Sequence, residues 1–195
     1  MKLSYGCDYK RYEMTSFDRL SDNADQTGVT KMESILMVQD PVCLMSIDPK
    51  RVATTLVHNG KTYYFCSVQC RNRFEASPHL YIGLPGHPAP RQHGHEVIKK
   101  RTLKLKQPLT ENQLSVIVTS LQNMMGIKNI HVEANSVYIT YDLLQVTVEQ
   151  VEATIKKTGE QLVSGLAEEL KRAFIHYLEE TELVNLEKPG QEHRH

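Results

Sequence analysis

The sequence predicts an α+β protein in two parts: a small cysteine-bearing hairpin–helix module, then a βαββαβ unit closed by an additional C-terminal helix. Three observations predict it. Asn59-Gly60 lies between two runs of strand-favouring residues, and cysteines stand at both ends of that segment. Between Lys99 and Val163 the apolar pattern switches between period two and helical spacing, with Thr-x-x-Gln at 110–113 and again at 147–150. A Pro/Gly/His-rich stretch at 84–98 separates the two patterns.

Residues 1–38 are polar and turn-prone, with no sustained period, and are expected to be a disordered tail holding Cys7. Met32 and Met37 stand where alternative initiators would. The module follows over 39–83. Thr54 to Val57 and Thr62 to Phe65 read as strands joined by a type I′ turn, because Asn and Gly tolerate the positive φ that both turn positions need. Ser67 suits an N-cap, which starts a short helix ending near Ala76. The linker at 84–98 carries His87, His93 and His95. It predicts two separately folding halves with few contacts between them.

The second unit spans 99–182. Its first strand is read at 102–107, where Leu103 and Leu105 alternate with polar residues. Thr110 and Gln113 form a capping box ahead of Leu114, Ile117, Val118, Leu121 and Met125, and Gly126 suits the end of that helix. Ile130, Val132 and Ala134 alternate, Asn135-Ser136 reads as a tight turn, and Val137, Ile139 and Tyr141 alternate again. Thr147 and Gln150 cap a second helix that presents Val148, Val151 and Ile155 and ends at Gly159; Leu162-Val163 closes the sheet. A last helix over 166–181 carries a stripe of Leu166, Leu170, Ala173, Phe174, Tyr177 and Leu178, expected to pack on the sheet. Glu168, Glu169, Lys171, Arg172, Glu179 and Glu180 form its solvated face. The tail 183–195 is polar and holds His193 and His195.

Composition narrows the function. Lys plus Arg equals Asp plus Glu at 23 each, so no net field draws nucleic acid or an anionic membrane. No apolar run approaches the roughly 20 residues that span a bilayer, and Met1 to Gln39 lacks the apolar core of a secretory signal. A cytoplasmic protein with reduced thiols is expected, in which clustered cysteines mean metal or redox chemistry. The basic cluster Lys99, Lys100, Arg101, Lys104, Lys106 alternates across a strand and forms no single patch for DNA. No Ser-His-Asp order, phosphate-cradling glycine loop, HExxH or dinucleotide fingerprint is present. The expectation is a protein without catalytic activity.

The chemistry lies in Asp40-Pro41-Val42-Cys43-Leu44-Met45 and Phe65-Cys66-Ser67-Val68-Gln69-Cys70. The hairpin folds Cys43 back beside Cys66 and Cys70. Three converging thiolates suit a soft metal such as Cu(I), trigonal, or Zn(II), tetrahedral with a fourth donor. His58, His79, Asp40 and Met45 are the candidates for that fourth place. The helix N-terminus at Cys66 and Cys70 carries partial positive charge and favours thiolate. Two readings stand: metal held as exchangeable cargo, or zinc stapling a 45-residue subdomain within an adaptor or metal-responsive regulator.

Those cysteine motifs, with Asn59-Gly60-Lys61-Thr62-Tyr63-Tyr64-Phe65, Phe74, Pro78 and Tyr81, resemble a YHS domain of the wider TRASH group of metal-binding modules. The resemblance implies a metal site at Cys43, Cys66 and Cys70. It also implies a context of copper or zinc handling, since such modules occur alone or fused to heavy-metal-transporting P-type ATPases. The family usually has Gly after the first cysteine; this chain has Leu44. The second unit, with Gly126-Ile127-Lys128-Asn129-Ile130 and Val137 to Asp142, resembles a heavy-metal-associated domain of the copper-chaperone type, a ferredoxin-like fold. Where that family carries Met-x-Cys-x-x-Cys, this chain reads Gln107-Pro108-Leu109-Thr110-Glu111-Asn112-Gln113-Leu114, without a thiol. The implied role left to it is docking a like-folded metal-binding domain.

Overall fold

The computed structural model describes residues 37–188. Of the tail expected over 1–38, residues 1–36, with Cys7 and Met32, lie outside the described residues, as do the terminal His193 and His195; Val38, expected in the tail, instead opens the first strand. Two short strands, β1 (Val38–Gln39) and β2 (Ser46–Ile47), pair antiparallel and hold between them the loop that carries Cys43. β3 (Thr54–His58) and β4 (Lys61–Phe65) form the expected hairpin, with Asn59 and Gly60 at φ 50° and 74°. α1 (Val68–Ala76) begins at Ser67, whose hydroxyl accepts from the Cys70 amide at 3.2 Å. α2 (His79–Ile82) follows. Phe65, Phe74, Leu80 and Tyr81 are buried together, with Phe74 against Phe65, Tyr63 and Tyr81.

The second unit is ferredoxin-like: β5 (Ile98–Lys104), α3 (Glu111–Gln122), β6 (Ile127–Glu133), β7 (Ser136–Asp142) and α4 (Val148–Lys157). The sheet runs β5-β7-β6, and a single bridge from Leu105 to Leu162 sets the closing strand beside β5. Both capping boxes form as the sequence predicts. Ile117, Leu121, Val148, Val151 and Ile155 pack on Leu103, Val137, Ile139 and Tyr141.

Three details differ from the sequence reading. The first strand starts at Ile98, not at 102, because its inward positions Lys99 and Arg101 pair with Glu182 at 2.6 Å and Glu179 at 3.3 Å, a burial that alternation of apolar residues does not reveal. The β6–β7 turn is Ala134-Asn135, with Ala134 at φ 51° and Glu133 opposite Ser136. Burial of Val137, Ile139 and Tyr141 dictates that register, since a one-residue slip would turn all three outward. Gly126 does not end α3, which stops at Gln122 with Asn123 as its cap. It sits at φ 91° where a Cβ would come within 2.6 Å of the Gln145 Cβ.

The largest difference is the last helix, α5 (Leu166–Glu187). The stripe expected to pack on the sheet faces outward: Leu166, Leu170, Phe174 and Tyr177 are all 60% exposed or more. The buried side includes Glu179, Leu183, Ile175 and Leu186. Glu179, expected to be solvated, accepts from the Val148 amide at 2.9 Å and from the Tyr141 hydroxyl, beside Arg101. Its carboxylate thus meets the orphan N–H and positive end of α4. On α4, buried Glu152 faces Arg172 and His176. Charge pairing, not apolar area, chose the face.

The stretch 84–98 is not slack chain. It makes a 3₁₀ turn at Arg91–His93 and buries Ala89 and Arg91. Nor are contacts between the halves few. Arg73 donates to the Leu143 carbonyl at 2.8 Å, the Tyr81 hydroxyl to the Leu144 carbonyl at 2.6 Å, and Arg91 to Asp142 at 3.1 Å. All meet the buried segment 142–146 between β7 and α4, whose carbonyls a β-ladder no longer satisfies.

Candidate metal centre

Two segments build the site. Asp40 accepts from the Val42 amide at 2.8 Å and, more weakly at 3.4 Å, from the Cys43 amide through the same oxygen, an Asx-type turn that shapes the Cys43 loop. Its other oxygen accepts from the Cys66 amide at 2.8 Å, which fastens that loop to the end of β4. The loop closes through the Leu44 amide on the Asp40 carbonyl and the Asp40 amide on the Met45 carbonyl, both 2.9 Å. Cys66 then precedes the N-cap and Cys70 lies in the first turn of α1, so both sulfurs meet Cys43 at the positive end of the helix.

The sulfurs converge. Cys43 Sγ is 3.5 Å from Cys66 Sγ, which is 3.6 Å from Cys70 Sγ. Together with a carboxylate oxygen of Asp40, all lie within 4.8 Å of one another. Sulfurs bound to one tetrahedral metal at a Zn–S distance of about 2.3 Å stand about 3.8 Å apart. The observed spacing is a few tenths of an ångström short of that, so the residues fit the ion with little movement.

The thiols share their protons unequally. The Cys70 thiol donates to Cys43 and holds the Cys43 group down to about 7, against the opposing effect of burial. Burial, followed by hydrogen bonding to Asp40, pushes Cys66 up to about 12. Its bond to Cys43, then burial, push Cys70 higher still. Near pH 7 the Cys43 thiolate is about half formed while Cys66 and Cys70 stay protonated, and a metal bound here would displace the remaining protons.

Of the four candidates for a further ligand, the fold brings only Asp40 to the sulfurs. His58 sits at the tip of the hairpin beside Asn59, at the end away from Cys66. His79 places Nδ1 on the Gly83 carbonyl at 3.0 Å. Met45 is 49% exposed. His87, His93 and His95 are exposed and join no such cluster among the described residues. Two residues that sequence reasoning passed over touch the ligand segments: Gln69, between Cys66 and Cys70, and Arg91, whose Nε donates to the Val42 carbonyl at 2.8 Å. Arg91 lies in the Pro/Gly/His stretch and gave no signal there; Gln69 reads as an ordinary helix surface residue.

Residues 38–84 match the YHS domain family. A stretch of 46 residues is 44% identical to a copper-transporting P-type ATPase of Rhizobium leguminosarum bv. viciae, covering 24% of this chain and 6% of that protein. The chain therefore spans a small fraction of that relative. Among solved structures, the CopZ metallochaperone aligns at 22% identity and TM-score 0.32, covering 33% of this chain and all (100%) of that one. The putative copper-ion-binding protein from Bacillus anthracis str. Ames aligns at 20% and 0.34, covering 35% and 100%. The N-terminal soluble domains of Bacillus subtilis CopA align at 17% and 0.33, covering 35% and 48%. The strand order and connections, rather than these scores, carry the ferredoxin-like assignment. Among the described residues no helix is long and apolar enough to cross a membrane.

Proposed function

We propose that the chain is a non-enzymatic carrier of a soft metal ion, Cu(I) or Zn(II), held by Cys43, Cys66 and Cys70 and serving metal transport or homeostasis. The observation that carries this reading is the convergence of three sulfurs from two chain segments at 3.5 and 3.6 Å. The likeness of 46 residues of this chain to part of a copper-transporting ATPase favours copper as the cargo. Such an ATPase, or a like-folded metal-binding domain, is the partner we propose. The thiol-free loop at 107–112 is largely exposed and available for docking.

Cargo is favoured over a structural staple by the core beneath the site. Phe65, Phe74, Leu80 and Tyr81 are buried against one another, and Asp40 ties the ligand loop to the hairpin through backbone N–H groups. Nothing in that packing requires an ion.

The test is a chelator titration of the loaded full chain, following metal release and far-UV circular dichroism together. Release with the spectrum retained is the expected result. Unfolding that coincides with release would hand the site to the structural-zinc adaptor, because binding free energy would then be folding free energy. Metal analysis of protein purified anaerobically under reduction separates copper from zinc.

A further inference from the structure

Each ligand segment is held from outside, and both holds end on the same few residues. Arg91 is buried; its Nε donates to the carbonyl of Val42, next to Cys43, while Nη1 reaches Asp142 at 3.1 Å. Asp142 is fully buried and cannot drift, because it also accepts from the Val97 and Leu144 amides and from Gln145 Nε2 at 2.8 Å. On the other side, Gln69 pairs its side-chain amide with the Met125 peptide like a strand neighbour, accepting at 3.1 Å and donating at 2.8 Å. The same Nε2 lies 3.3 Å from the Gln145 carbonyl. Gln145 therefore belongs to both arms.

We propose that the ferredoxin-like unit is the outer shell of the thiol site, with Arg91 and Gln69 as positioning residues that reference the Cys43 loop and the Cys66–Cys70 helix to the single segment Asp142–Gln145. The inference rests on the metal-binding reading of the site and assigns regulation to it. A partner that shifts the segment after β7 loosens both ligand segments together and speeds metal release. The unit's β5–α3 loop lies at the opposite end of the sheet, beside Asn135, roughly 20 Å away across a seven-residue strand.

The experiment uses the full chain and three substitutions. Gln69→Ala removes one arm without touching a charge. Arg91→Lys keeps a cation near Asp142 but cannot also hold the Val42 carbonyl. Tyr81→Phe removes a bond from α2 to the same segment, at Leu144, and leaves the ring packed on Phe74 of α1. Co(II) is titrated anaerobically into each, with affinity and the thiolate-to-cobalt and d–d bands as readouts; hydrogen exchange at the Cys43 and Leu44 amides is followed in the metal-free chains. Gln69→Ala and Arg91→Lys are expected to weaken Co(II) about tenfold or more, the scale on which outer-shell partners act, and to shift the bands. Tyr81→Phe should do neither. Exchange at 43–44 should quicken in Arg91→Lys alone.

The proposal is overturned if the two arm variants, folded by circular dichroism, keep wild-type affinity and bands, or if Tyr81→Phe matches their loss. Should Arg91→Lys not fold, Gln69→Ala decides by the same criteria. If the wild type itself gives no thiolate-to-cobalt band, the metal reading falls. The arms are then judged by exchange alone: quickening confined to Arg91→Lys upholds them, and equal rates in all three overturn them.

Discussion

Leu44 holds φ at 66°, in the left-handed region that costs a residue with a Cβ about 1–2 kcal/mol. The turn needs that conformation, because the Leu44 amide must reach back to the Asp40 carbonyl. This is why glycine is the usual residue there. Leu44→Gly should stabilise the chain by about 0.5–1 kcal/mol once the added freedom of the unfolded glycine is subtracted, read as a rise in the urea midpoint. A fall would mean the leucine side chain packs well enough to outweigh the strain. The three sulfurs make a second prediction. In the metal-free chain the Cys43 group lies near 7, below an ordinary thiol, so its thiolate fraction rises with pH through about 7. Iodoacetamide followed by peptide mapping should label Cys43 first, half-maximally near that pH. Cys66, pushed up to about 12, should lag far behind. Equal labelling of the three would show that they do not share protons. The cysteines were legible from motif and spacing. Asp40 was legible only as one of four candidates, since its work is to collect N–H groups from segments 26 residues apart.

The elements divide between those that local chemistry specifies and those that partners specify. The Asn59-Gly60 hairpin, the Ser67 cap and both capping boxes form where the sequence places them, because each is decided within four residues. α5 is the opposite case. Its apolar stripe would normally be buried, yet the helix turns Glu179 inward to the α4 N-terminus, Tyr141 and Arg101. Urea denaturation should sort the two faces. Leu170→Gln and Phe174→Ser, at residues 62% and 60% exposed, should each change stability by less than about 0.5 kcal/mol. Leu183→Ala, on the buried face, should cost about 2–4 kcal/mol. Glu179→Leu should cost about 3 kcal/mol or more, because it strands a tyrosine hydroxyl and a helix-end N–H. The reverse ranking would restore the stripe to the core.

At the scale of the molecule, residues 37–188 fall within one compact unit. The buried Arg91–Asp142 pair lies at the join, with guanidinium and carboxylate side chains 7% and 0% exposed. Removing one partner leaves a buried charge uncompensated, so Asp142→Ala should cost about 3–5 kcal/mol. Tyrosine fluorescence and far-UV circular dichroism should trace one coincident thermal transition, since the YHS segment and the sheet share the 142–146 segment. Two resolved transitions would show the halves to be independent after all.

The sequence alone determined the local devices and the candidate donors: turn, caps, alternating strands and three cysteines at metal-site spacing all act over a few residues and leave a pattern. Only the tertiary structure decided which way α5 faces, that Asp40 rather than His58 or His79 stands at the sulfurs, and that Arg91 and Gln69 hold the ligand segments. Each of those outcomes rests on a buried or half-buried polar group meeting a partner from 26 to 56 residues away. A hydropathy pattern records apolar area. The cost of an unpaired buried charge depends on what lies across the gap, and that exists only once the chain has folded.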